Sequence, residues 1–289
     1  PALVKIMGAV YKIPLNAIIG EQGFGYFNTA YEIYNVLLMI STAGLPVAMS
    51  RMISQAQTLG YHAQIKRIYR TSLYVFLTFG MAGSLGMLIF CRQLSVMVTT
   101  NENSWAAIAA LAPCVLLICL VSAYRGLFQG QSNMTPTSVS QIFEAVTRLV
   151  VGLGLAWLVM KLTGKAYVRM QGIVLASGET AQDYGDITLA AGGAILGVTL
   201  GSLISVVYLH HKFRQSNQIL SLGGGTAKST RSTMKELLSI AVPITLGSAG
   251  LQIINLFDTM IYMRRLTGAL AWSSDAADTA KGIYNFCQT

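Results

Sequence analysis

Charge is what this sequence has least of. Asp and Glu number only 11 and Lys and Arg 20 in 289 residues, so charged side chains are 11% of the chain, against roughly 25% in an ordinary soluble domain. Water is therefore excluded as the solvent for most of it. Histidine (3) and cysteine (4) are also scarce, and neither has metal-ligand spacing. Cys91, Cys114 and Cys119 sit inside or at the edge of apolar runs, where a thiol is a packing group. No nucleophile stands near a base and no acid pair is placed for hydrolysis, so the chain is not read as an enzyme and no cofactor or metal is expected. The Gly223, Lys228, Ser229 pattern imitates a phosphate loop, but Ala227 takes the glycine position before the lysine and no strand precedes it.

What abounds is apolar. Hydrophobic residues make up 53% of the chain, and the mean hydropathy is +0.56. Four uncharged runs, Thr71–Cys91, Ser104–Ala123, Ile187–Leu209 and Leu237–Phe257, approach or exceed the roughly 20 residues that cross about 30 Å of hydrocarbon. Tyr26–Ser50, with Glu32 inside it, and Ser138–Met160, with Glu144 and Arg148, read as spans with polar interior positions. Val4–Ile19 reads as the end of a first helix and Gly282–Thr289 as the start of an eighth. The expected fold class is all-α, a polytopic transmembrane helix bundle of seven to eight helices. The chain is expected to be a fragment at both ends.

The net charge of +9 would suit a nucleic acid partner, but its placement argues for membrane topology and against nucleic acid. Loops after spans two, four and six carry ten basic residues (Arg51, Lys66, Arg67, Arg70, Arg125, Lys212, Arg214, Lys228, Arg231, Lys235) against Glu236 alone. The opposite loops balance seven basic residues, Lys281 among them, against seven acidic ones. The positive-inside rule then puts the even loops and the N-terminus in the cytoplasm, where anionic membrane lipids attract them. Residues 220–234, rich in Gly, Ser and Thr, read as a cytoplasmic linker between a lobe of helices one to six (1–219) and the opening of a second lobe (235–289). Gly25-Tyr-Phe-Asn28 and Gly282-Ile-Tyr-Asn285 form a faint repeat, as expected of two related halves. Gly193, Gly197, Gly201 and Ser205 put small residues on one face of span six for close helix packing.

Ionisable groups inside spans are costly and mark function by default. Lys5, Lys12 and Asn16 share one face of span one and suit a phosphate or pyrophosphate on a substrate. Glu32 either counters Lys12 or takes a coupling proton or cation. Asp258 on span seven is a second candidate for ion coupling or charge balance. Glu144 and Arg148 form an i, i+4 pair in the favourable order, read as structural.

Five stretches carry a resemblance: VKIMGAVYKIPL (4–15), IIGEQGFGYF (18–27), GLPVAMSRMIS (44–54), YRGLFQG (124–130) and IAVPITLG (240–247). Together the chain resembles the multidrug, oligosaccharidyl-lipid and polysaccharide exporter (MOP) superfamily, in the branch of MurJ-like lipid II flippases and stage V sporulation protein B. The resemblance implies a two-lobed, MATE-type fold, of which this chain holds the N-terminal lobe and the opening of the second. It implies an alternating-access flippase of the bacterial cytoplasmic membrane that moves an undecaprenyl-pyrophosphate-linked saccharide, lipid II first among candidates, for peptidoglycan or polysaccharide biosynthesis. Lys5 would correspond to a cavity cation; a second basic position of the Gram-negative members aligns with Tyr11, and an acidic one near Tyr26. On this reading Lys5, Lys12 and Asn16 bind the pyrophosphate and Arg51 assists as the cargo enters. Two alternatives stand: a MATE-like, cation-coupled multidrug antiporter, and a membrane scaffold of cell-wall or spore assembly.

Overall fold

The computed structural model describes residues 2–99, 104–162, 184–215 and 228–287, and within them every regular element is a helix. In chain order these are α1 (Ala2–Thr42), α2 (Gly44–Thr58), α3 (His62–Ile89), α4 (Cys91–Thr99), α5 (Trp105–Gly130), α6 (Thr135–Leu162), α7 (Tyr184–Gln215), α8 (Thr230–Ala269) and α9 (Ser274–Cys287). Six stretches, Gly23–Thr58, His62–Ile89, Trp105–Gly130, Thr135–Leu162, Thr188–Gln215 and Thr230–Ala269, are long and apolar enough to cross a membrane. They match expected spans two to seven, and the chain is a multi-pass membrane protein. Side chains such as Tyr74, Leu246, Leu251 and Val207, each more than 60% exposed, make an outer surface suited to acyl chains and unsuited to water.

Spans one and two are not joined by a loop. α1 runs through both and turns at Gly20, whose φ of 71° and ψ of 175° lie where only glycine sits without strain. Tyr11 and Phe27, sixteen positions apart, would be about 24 Å apart along a straight helix, yet their ring centroids are 6.1 Å apart. One glycine thus folds the two limbs against each other.

The centre of the bundle is α5, the most apolar span, with 67% of its most hydrophobic window buried. One half of the core gathers Leu15, Phe24 and Phe27 of α1 with Leu111 and Val115 of α5 and Ala194 and Val198 of α7. The other half lies toward the end that carries the basic loops, where Met49 and Ile53 of α2, Ile68 and Phe76 of α3 and Phe128 of α5 meet Leu237 and Ala241 of α8. A Cβ on Gly44 would overlap the carbonyl of Ala241 and the hydroxyl of Thr245, so α2 and α8 touch backbone to backbone there.

The segment expected to be a linker through residue 234 becomes helical from Thr230. Ser229 is the reason: its hydroxyl accepts from the Ser232 N–H at 3.3 Å and caps α8. Lys228 is also tied to α3, its N–H donating to Gln64 Oε1 at 2.8 Å while Arg67 donates to its carbonyl at 2.6 Å. Residues 220–227 of that segment lie outside the described ones.

The small-residue stripe of α7 meets α6. A Cβ on Gly197 would overlap the Gly152 backbone, one on Gly201 would come 2.9 Å from the Glu144 carbonyl, and Ser205 Oγ donates to the Ser140 carbonyl at 2.9 Å. Contact this close sets the height of α6, and with it Glu144 and Arg148. At Arg148–Gly152 that helix widens into a π-turn, a feature common at functional sites. Gly197→Ala should therefore lower stability by about 1–3 kcal/mol through overpacking, whereas Gly154→Ala, on the open face of the same α6, should be neutral or gain up to about 1 kcal/mol of helix propensity. Thermal unfolding of the two variants in detergent checks this, and equal midpoints would refute the packing role of the stripe.

Candidate functional site

A cavity of about 410 Å³ lies between α1, α2, α5 and α6. Tyr31, Tyr34 and Asn35 project from α1, Ser122, Arg125 and Gln129 from α5, and Glu144 and Arg148 from α6. It extends from Tyr31 and Arg148 to Gln129, one residue before the end of α5. Its charged groups form a triad. Arg125 Nη2 donates to Glu144 Oε2 at 3.0 Å, while Arg148 Nη2 lies 3.7 Å from Glu144 Oε1. Arg125 Nε also donates to Ser140 Oγ at 3.1 Å. The side chains of Arg125, Glu144 and Arg148 are only 16%, 13% and 29% exposed, so the charges interact with little water between them. The Arg148 guanidinium sits 5.9 Å from the Tyr31 ring centroid, within cation–π range. The expected Glu144–Arg148 pair is thus the longer arm of a three-membered cluster.

The other charged cluster ties α9 to α1. Lys281, 2% exposed, donates to Glu32 at 3.1 Å and to Thr29 Oγ1 at 2.9 Å. Counted as a loop charge in the sequence, it is a buried helical residue. Two glycines let α9 approach. A Cβ on Gly25 would overlap the carbonyl of Asp278, and one on Gly282 would overlap that of Glu21. Each clash falls four residues before the partner glycine, so the crossing has a local two-fold relation. The glycines are those that open the two copies of the faint repeat.

Among the described residues no three His, Cys, Asp or Glu side chains converge. With the cavity's one carboxylate held by two guanidinium groups, its wall carries hydrogen-bonding groups and a net positive charge.

The sequence profile described as "Polysaccharide biosynthesis protein" matches residues 2–289. The chain belongs to that family. Similar members from Bacillus subtilis (strain 168) are "Stage V sporulation protein B", 26% identical over 84% of this chain and 43% of its own length, and "Uncharacterized membrane protein YabM", 29% identical over 98% and 48%. "Lipid II flippase MurJ" of the same organism is 24% identical over 92% of this chain and 47% of its own. The chain thus spans about half the length of the curated relatives it matches. A solved structure, "Inward-facing conformation of a multidrug resistance MATE family transporter of the MOP superfamily", superposes with a TM-score of 0.63 over 96% of this chain and 57% of that one. At 13% identity it shows the fold, the MATE-type helix bundle.

In this family member the nominated residues do not all gather. Glu144 and Arg148 line the cavity, whereas Lys12, Asn16, Arg51, Glu32 and Asp258 do not. Lys12 is half-buried on the first limb of α1, and Asn16 one turn further has a buried Oδ1 with no hydrogen-bond partner among the described residues. Arg51 and Asp258 are exposed, on α2 and α8. The side chain of Lys5 lies outside the described residues. Glu32 pairs with Lys281, not Lys12. Tyr11 and Tyr26, which the resemblance sets at or near charged positions, are core residues at 3% and 0% exposure, and Tyr11 Oη donates to the Ala194 carbonyl at 3.4 Å.

Arg125 was hidden because the uncharged run ends at Ala123, while α5 continues to Gly130. A usable signal was present: Ser122, Arg125 and Gln129 share one helical face, as do Tyr31, Tyr34, Asn35 and Leu38 on α1.

The Lys281–Glu32 contact makes a measurable claim. Lys281→Met and Glu32→Gln should each lower the unfolding midpoint, and the double variant should lose less than their sum, by about 0.5–3 kcal/mol. A double-mutant cycle in detergent checks this, and strict additivity would show that the pair does not couple α1 to α9.

Proposed function

We propose that the full-length protein is a flippase that carries an undecaprenyl-pyrophosphate-linked saccharide, lipid II or a related cell-wall or polysaccharide precursor, across the bacterial cytoplasmic membrane by alternating access. The observation that carries this reading is a polar cavity with a net positive wall, two arginines to one carboxylate, that reaches Gln129 near the end of α5 beside the basic loops. Access from one side at a time is the requirement of such a carrier. The N-terminus and the basic end are cytoplasmic in this reading, in keeping with the positive-inside rule, so the cavity is reached from the side where the precursor is made.

Lys5, Lys12 and Asn16 on the first limb of α1 take the pyrophosphate, and Arg51, exposed at the basic end, meets the anionic head group as it enters. Asp258, exposed on α8, balances charge or takes up a coupling cation or proton, while Glu32 balances Lys281. The antiporter alternative draws on the MATE-type fold and the tyrosines of the cavity. Against it, an organic cation would face two arginines and a carboxylate they already neutralise.

Reconstituted in liposomes with a fluorescent lipid-linked saccharide, the full-length protein should flip its substrate, and a Lys5→Ala/Lys12→Ala variant should do so about tenfold more slowly, the effect of losing roughly 1.4 kcal/mol of ion pairing. Flipping unchanged in the variant would remove the lysines from the pathway. A wild type that flips none of the offered precursors would favour the scaffold.

A further inference from the structure

Where the chain enters α8, at the opening of the second lobe, α3 of the first lobe holds it. Lys228 is gripped on both of its backbone polar groups: its N–H donates to Gln64 Oε1 at 2.8 Å, and Arg67 donates to its carbonyl at 2.6 Å. Gln64 and Arg67 are three positions apart and so share one face of α3. The other end of the Gln64 amide, Nε2, donates to Thr233 Oγ1 at 3.4 Å, and that hydroxyl donates to the Ser229 carbonyl at 3.1 Å. A backbone N–H can only donate, so the amide has one orientation and both of its ends are used. Gln64 is 7% exposed and Thr233 is fully buried. Opening this clasp would strand buried polar groups, which costs more than releasing a surface contact.

Packing holds the two turns that follow. Thr233, Leu237 and Ala241 recur every four residues and form one buried stripe of α8. Leu237 and Ala241 enter the same core as Ile65 and Ile68 of α3, and a Cβ on Gly44 of α2 would overlap the Ala241 carbonyl. Past Ala241 the next three residues, Val242, Pro243 and Ile244, are exposed. If the Gly, Ser and Thr-rich linker were the joint between lobes, residues 228–241 would have no reason to be bound to α3 by hydrogen bonds and core packing together.

We propose that Gln64 and Arg67 clasp the start of α8 to the first lobe through the whole transport cycle, so that residues 228–241 travel with that lobe while the two lobes move against each other. The mechanical boundary then falls beyond Ala241, and not in the linker that marks the change of lobe in the sequence. Gln64 is a positioning residue on this account. The inference rests on the alternating-access reading and is independent of the cargo.

Spin labels on two exposed positions, introduced as Arg70→Cys on α3 and Lys235→Cys on α8 in an otherwise cysteine-free full-length protein, test this by electron paramagnetic resonance. One narrow distance distribution should persist with and without undecaprenyl pyrophosphate, and Gln64→Leu should broaden it. A second distance in either state overturns the proposal, as does a Gln64→Leu distribution as narrow as that of the wild type. If Gln64→Leu does not fold, Arg67→Met, which releases only the Lys228 carbonyl, carries the test with the same outcomes. Flipping of a fluorescent lipid-linked saccharide reads the same clasp. A reduced Gln64→Cys/Thr233→Cys pair should flip about tenfold more slowly than the wild type, as loss of a buried hydrogen-bonded contact requires, and closing the pair with a short thiosulfonate cross-linker should restore the rate. A cross-link that stops flipping, or a reduced pair that flips at the wild-type rate, overturns the clasp. The two readings fail separately: a protein that flips no precursor ends the flippase, while the label distances still decide the clasp.

Discussion

A polar group in hydrocarbon must find its partner within the protein, and the arrangement of this bundle follows from that constraint. Backbone groups meet it by helix formation alone, so the described chain is helical throughout its regular elements. Side chains meet it only by helix packing. Among the charged groups described within the bundle, Glu32, Arg125, Glu144, Arg148 and Lys281 settle into two clusters, one in the cavity wall and one that ties α9 to α1.

Glycine is what lets those clusters form. Gly197 against Gly152 brings α7 onto α6, and Gly25 against Asp278, with Gly282 against Glu21, brings α9 onto α1. Where backbones approach this closely, van der Waals contact replaces the hydrophobic driving force that a membrane does not supply between helices. One crossing sets α6, and with it the charged wall of the cavity, against α7, and the other holds α9 on α1.

Much of the architecture was legible before any coordinates. Runs such as Ile187–Leu209 and Leu237–Phe257 fall within α7 and α8, because hydropathy over twenty residues is a local property. The helices nonetheless overrun the runs that announced them. α5 passes Ala123 to reach Gly130, and α8 begins at Thr230 on its Ser229 cap, since a helix continues through charged residues wherever its ends reach water or a partner. That overrun is why Arg125 was counted with the loops and Lys281 with the outer surface.

The sequence by itself determined the helical class, the membrane as solvent, the places of the spans, the asymmetry of charge between the two ends and the small-residue faces, all of which depend on neighbours within a few helical turns. Only the tertiary structure decided which polar groups meet. Glu32 finds Lys281 249 positions along the chain, and Glu144 meets Arg125 on one carboxylate oxygen as well as Arg148 on the other. Periodicity states which face of a helix a residue occupies but not which helix lies opposite, and in hydrocarbon that opposite helix determines whether a charge is paired, exposed or left facing a cavity.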